Sequence, residues 1–419
     1  MDSNRRVVST TNELVDALAS ATVRHILIDA DLADVPTLNL LPGQRIAGVK
    51  TPVTVRFANG QDGLMLSRDN EVDSLQLITD PERRAIFNRT DTDSLGRIVL
   101  GNLGITGVVQ ILARDKVREG HVEAHGIDIV AADARHFEDR PQGYGVGVMQ
   151  GAFTLWNQQT NPALALTADL TGLSAGRPGA PVRGSGIFVG GAGDVGGRVV
   201  VTRLETGAVY SDGGIARGTP DRISGGVFTV YGAVVDCVRN TGPVTTYGPN
   251  DMVLDNWGLV DLWVAEDRIT SYGPSGIGFV NFGVLNHLDI KAPIETFGQG
   301  ARGFNVYSGT VRLAEFERVV THADGAVGIQ ISQPVGRIVV RRGVETYGAA
   351  GDSLVKGVVM KLAASALSIK PGASVRAVEI DGGLLTHGQG VAPLEMHGAI
   401  DSLRISGHAA PLGGGFETI

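Results

Sequence analysis

One cysteine, Cys237, stands among 419 residues, which rules out an intrachain disulfide framework and a cysteine-based zinc site. Blocks of like charge are missing, and the formal charge of −8 is mild for this length. Electrostatic capture of nucleic acid is therefore not expected. No run of about 18 apolar residues occurs, so no membrane-spanning helix is read. The opening MDSNRRVVSTTNEL has two arginines with no apolar stretch behind them, so no secretory signal is read either. A cytoplasmic location is expected, or secretion were the chain a trimmed one. His-Glu-x-x-His, a phosphate loop and a nucleophile elbow are all missing. His121 and His125 lie in the strand-like VEAHGIDIV, not on a helix. No metal site and no cofactor are expected.

Glycine is what the chain has in excess. Its 59 glycines are about twice the usual share, while hydrophobic residues, at 43%, stay near average. Enough apolar surface remains to offset the entropy of ordering, which excludes disorder. Many short strands joined by tight turns fit this composition.

A repeat orders them. Tyr247, Tyr272, Phe297, His322 and Tyr347 are each 25 residues apart, preceded by Thr246, Ser271, Thr296, Thr321 and Thr346. Apolar columns keep the same register: Val244, Ile269, Ile294, Val319, Val344; then Leu254, Phe279, Phe304, Ile329, Leu354; then Trp263, Leu288, Leu313, Ile338. Within each unit the alternation has period two, as in a strand, and no 3.6-residue period appears. Three short strands in about 25 residues make one coil of a parallel β-helix, each coil stacking about 4.8 Å above the last. Leu204-Glu205-Thr206-Gly207 and Leu385-Thr386-His387-Gly388 echo the unit 40 residues to either side, implying coils with insertions of about 15 residues.

The predicted fold is all-β: a right-handed single-stranded parallel β-helix with an N-terminal capping helix, one domain over 1–419. Residues 1–50 form the cap and first strands, 51–200 irregular coils with a loop at 135–145, 201–400 regular coils, and 401–419 a C-terminal cap or tail. The segment STTNELVDALASA, 9–21, supplies the helix, with a capping Thr/Asn and Leu14, Leu18 and Ala21 at helical spacing. A solenoid needs such a cover over its first coil. This segment and the coils resemble the pectate lyase-like right-handed β-helix superfamily.

That resemblance implies a protein acting on or binding polysaccharide. The polygalacturonase residues (Asn-Thr-Asp, Asp-Asp, Gly-His-Gly), the lyase Arg-x-Pro-x-x-Arg and the epimerase Asp-Pro-His-Asp are missing. Gln61-Asp62 is similar to the esterase Gln-Asp but lacks its Thr-Leu continuation. Family chemistry thus names no reaction here.

The columns still suggest a surface. With Leu254 inward, strict alternation turns Asp251, Val253, Asp255 and Trp257 outward. One coil on come Gly276, Gly278, Val280 and Phe282; then Ala301, Gly303, Asn305 and Tyr307; then Ala326, Gly328, Gln330 and Ser332. The expectation is a bare Gly/Ala strip beside an aromatic rail of Trp257, Phe282 and Tyr307. A glycan would bind the rail, or a second copy would pack on Gly276, Gly278, Gly303 and Gly328. The Tyr247–Tyr347 ladder reads as packing, the Thr246–Thr346 ladder as inward and hydrogen-bonded, and Asn256 and Asn281 as left-handed turn residues bonding along the stack.

Glycosidic cleavage commonly uses paired carboxyl groups. Asp236 and Asp261 sit at equivalent positions of adjacent coils and are the candidate acid/base couple, with Asp251 and Asp255 as further candidates. His136, Glu138, Arg140 and Tyr144 in the 135–145 loop are candidate binding residues. The expected function is a carbohydrate-active enzyme (hydrolase, lyase or intramolecular transferase). The alternative is a non-catalytic glycan-binding or self-associating β-helix.

Overall fold

Each short apolar run extends as a strand because β-branched side chains fit a pleated surface, and it pairs in parallel with its equivalent one coil away. The computed structural model describes residues 4–49, 52–355 and 357–413; the tail beyond 413 lies outside the described residues. It is an all-β parallel β-helix of about 25 residues per regular coil, as the columns predict.

Three faces surround the core. In the regular coils the first face stacks Ala233–Asn240, Leu259–Ala265, Val284–Ile290 and Thr310–Phe316. The second stacks Val244–Thr246, Ile269–Ser271, Ile294–Thr296 and Val319–Thr321. The third stacks Asp251–Asn256, Ile277–Asn281, Arg302–Val306 and Val327–Ile331. In earlier coils, single long strands such as Arg198–Asp212 bend across the corner between the first two faces.

The helix Thr11–Ala19 closes the first coil. Thr10 and Glu13 form a capping box, and Leu14, Ala17 and Leu18 are buried. Ala21 is exposed and lies past the helix, so Ala17 completes the apolar stripe instead.

The interior columns hold with three corrections, the first being that Leu354 lies in the hairpin strand Gly351–Val355, so that Leu367 takes its place against Ile329. Leu288 pairs with Ala314, not Leu313, because one extra residue enters at Ser308-Gly309 and Val284 registers with Thr310. The segment at Leu204 registers with Val238, and it is Val209 that meets Val244. Downstream, Thr346 does meet Thr386, and the insertion there is the hairpin Gly351–Val355 and Val358–Leu362. Asn256 and Asn281 are inward strand residues, not left-handed turns. Asn256 Nδ2 donates to Asn281 Oδ1 at 2.8 Å, so the bonding along the stack is as expected.

The Gly/Ala strip faces the other way from its expected direction. Strict alternation fails where the third strand leaves its corner: Val253 and Leu254 both join the interior core. A Cβ added to Gly278 would lie 2.3 Å from Ile294 Cγ2, one at Gly303 2.2 Å from Val319 Cγ1, and one at Gly328 2.4 Å from Val344 Cγ1. At Gly276 it would meet Ser271 Oγ at 2.1 Å. These glycines give the core room at the corner and form no outer wall.

Candidate functional site

The outer side of the third face carries its own apolar layer. Met252, Ile277, Val280, Trp257, Phe282 and Tyr307 project outward and are buried again by two covers. One is the 135–148 segment, reaching forward along the stack; the other is the 351–362 hairpin, reaching back. Trp257, Phe282 and Tyr307 are therefore 3%, 8% and 6% exposed, not an open rail.

Tyr144 takes the open position instead. Its ring stacks on Phe282 at 4.4 Å and meets Trp257 edge-on at 5.1 Å, while staying 37% exposed. Its backbone is left-handed, φ +51°, a conformation costly for an aromatic residue and held by these contacts. The structure thus joins the loop to the rail. His136 and Glu138 are exposed at the loop's root, and Arg140 Nη2 donates to the Arg135 carbonyl at 3.0 Å. None of these three reaches the rail.

Below Tyr144 runs a groove of about 470 Å³ along the corner between third and first faces. Its floor is the turn Trp257-Gly258, Phe282-Gly283 and Ser308-Gly309, repeated coil after coil. Glycine is required there: a Cβ on Gly283 would lie 2.0 Å from the Gly258 carbonyl oxygen. Leu259 and Val284, both exposed, edge the groove, and Asp194 and Arg198 stand at one end. Burial first, then Tyr144 and Asp194, push the Tyr231 phenol beside it up to about 12, so it keeps its proton. Burial also raises Tyr144.

The carboxylates separate into two kinds. Asp236 and Asp261 are exposed on the first face, bracketed by the register Val235–Val260 and Cys237–Leu262. They flank the groove two residues beyond its edge at Val234 and Leu259. Asn286 Nδ2 donates to Asp261 Oδ1 at 2.8 Å. Asp251 and Asp255 do not face solvent, contrary to expectation; both are 0% exposed. Asp251 turns into the corner, accepting from Ser224 Oγ, Gly213 N (3.2 Å) and Gly248 N (2.7 Å). Burial raises it to about 7 against those three bonds. Asp255 lies under the covers with neither oxygen hydrogen-bonded, and burial drives its carboxyl well above the usual range. The Trp257 indole N–H is turned toward it without reaching bonding geometry, and offsets little of the burial.

Gln61-Asp62 is structural, Asp62 taking the Arg84 backbone N–H at 2.9 Å and its Nε at 3.1 Å. Among the described residues no group of three or more His, Cys, Asp or Glu could hold a metal ion. No helix among them is long and apolar enough to cross a membrane. No family model matches the chain, and neither a curated protein nor a solved structure matches it closely enough to show kinship.

Sequence reasoning missed Asp194, Arg198, Leu259 and Val284. The Trp-Gly and Phe-Gly dipeptides at 257–258 and 282–283 were the available signal for this corner. Nothing in the sequence ties the 191–197 loop to it.

Proposed function

We propose that the corner groove binds a glycan lying along the coils, as a non-catalytic binding surface. The observation that carries this reading is the exposed Tyr144 ring, anchored on Phe282 and overhanging the groove. An aromatic ring with apolar Leu259 and Val284 suits the apolar face of a sugar. Asp194 and Arg198 supply an acceptor and donors for its hydroxyls. The fold resemblance to pectate lyase-like β-helices supports the same ligand class by analogy alone.

A second reading, an acid/base enzyme, draws on Asp236 and Asp261. They lie on adjacent strands, whose backbones run about 4.8 Å apart, a placement compatible with the close carboxyl pair of retaining glycosidases. Against it, both are open to water, whereas catalytic pairs depend on unlike surroundings for their two carboxyl groups.

Titration calorimetry against an oligosaccharide panel tests the first reading: binding is expected, and Tyr144→Ala should weaken it about tenfold or more. Absence of binding across the panel, or binding indifferent to Tyr144→Ala, overturns it. Product analysis on the same panel tests the second. Turnover lost in both Asp236→Asn and Asp261→Asn would establish the enzyme; bound glycan left intact by wild type would remove it.

A further inference from the structure

The corner between third and first faces continues into a second groove, of about 380 Å³. It opens at Leu285 and Thr310, the residues that follow Val284 and Gly309 of the first groove. One outward column of the first face runs through it. Asp261, Asn286, Arg312, Gly336, Arg376 and Asp401 succeed one another in register, coil by coil. All but Asp261 line the groove.

The column changes sign along the stack. Asp261 is held by Asn286, and beyond them stand two arginines with a glycine between. Arg312 and Arg376 are exposed, and among the described residues neither makes an ion pair or a side-chain hydrogen bond. Their neighbours are engaged: Arg337 and Arg404 with Glu379, Arg341 with Asp289 and Glu315, Arg342 with Glu317. Asp401, one coil beyond Arg376, lines the far end. Two arginines against one aspartate leave the lining with an excess of positive charge.

Gly336 puts no side chain between the arginines, so both border one open space. Their backbones lie two coils apart, about 10 Å, a span that two arginine side chains can close around a single anion.

We propose that Arg312 and Arg376 clamp a tetrahedral oxyanion, a sulfate or phosphate ester, over Gly336. The two guanidinium groups approach from opposite sides along the stack. An ester oxyanion has three terminal oxygens; it turns one toward each arginine and leaves the third for the Ser374 hydroxyl, which also lines the groove. A carboxylate carries both oxygens on one side of its carbon and fills one guanidinium fork. The inference rests on the corner-groove reading for the glycan that bears the ester, and on different residues for its site.

The test is titration calorimetry of the full chain at low salt with glucose 6-sulfate, glucose 6-phosphate, glucuronate and glucose, with melting temperature as the folding control. At least one ester is expected to bind about tenfold more tightly than glucose or glucuronate, the tighter ester naming the group recognised. Arg312→Gln and Arg376→Gln should each weaken that binding about tenfold or more, and added salt should weaken it too. Tyr144→Ala should leave it unchanged. Esters that bind no more tightly than glucose, or that ignore both arginine substitutions, overturn the clamp. Glucuronate bound as tightly as the esters overturns its tetrahedral preference. Neutral oligosaccharide binding that depends on Tyr144 while the esters fail would sink the clamp and leave the corner groove standing. Ester binding lost in both arginine variants, with no oligosaccharide bound, would do the reverse.

Discussion

Tyr144 stacks on Phe282 at 4.4 Å across 138 positions of sequence, and its hydroxyl donates to the Phe282 carbonyl at 3.3 Å. That pair anchors the 135–148 segment over the outer apolar layer. Tyr144→Ala removes the stack and the edge contact with Trp257, each worth about 0.5–1.5 kcal/mol beyond area burial. The expected outcome is a folded protein whose Trp257 emission shifts red and whose loop is cleaved faster by protease. Unchanged fluorescence and proteolysis would show that the anchor lies elsewhere.

The two buried carboxyl groups should respond oppositely to truncation. Both have folded pKa values above the ordinary value of 3.8. Each therefore binds a proton more tightly folded than unfolded, a contribution present below about pH 4 and lost as pH rises through the folded value. For Asp251 that window closes at about 7; for Asp255 it extends well above the usual carboxylate range. Asp255→Asn is expected to raise the melting temperature at pH 8 and flatten its decline with pH. Asp251→Ala should lower it, with a loss of stability of about 1–3 kcal/mol for each N–H left bare at Gly213 and Gly248. Thermal melts from pH 5 to 8 check both.

Gly303 tests the direction of the glycine strip. A Cβ there would meet Val319 Cγ1 at 2.2 Å and the Gly328 carbonyl oxygen at 2.6 Å. Backbone on one side leaves little room to relax, so Gly303→Ala should cost about 1–3 kcal/mol through overpacking. Denaturant unfolding measures it. A neutral result would return these glycines to the surface.

The second-face ladder should prove structural. Tyr272, Phe297, His322 and Tyr347 stack at 4.5–5.2 Å with planes within 13°. Their faces cover one another and only edges meet water, which leaves no face for a sugar. Phe297→Ala should destabilise by about 1–3 kcal/mol through its two ring contacts and leave glycan affinity unchanged. A fall in affinity without a fall in stability would make the ladder a binding surface.

Besides the capping helix, legible from its own cap and apolar spacing, the repeat alone determined the solenoid, the inward columns at Val244 and Leu254, and the inward Thr246 ladder. In that ladder the Thr321 and Thr346 hydroxyls are hydrogen-bonded as expected, while those of Thr246, Ser271 and Thr296 are not. The solenoid, its columns and its ladder are consequences of stacking like on like at a constant period, and a period is visible in one dimension. Direction at the corners was not visible. Alternation predicts side-chain facing only along a straight strand, so the bend between Val253 and Leu254 reversed the glycine strip and Asp251. Asp255 does point outward, yet it is buried, because segments inserted elsewhere fold back over it. The meeting of Tyr144 with Phe282, and of the 351–362 hairpin with Gln330, joins coils far apart in sequence. Only the tertiary structure decides such contacts, since an insertion breaks the period that made the rest legible.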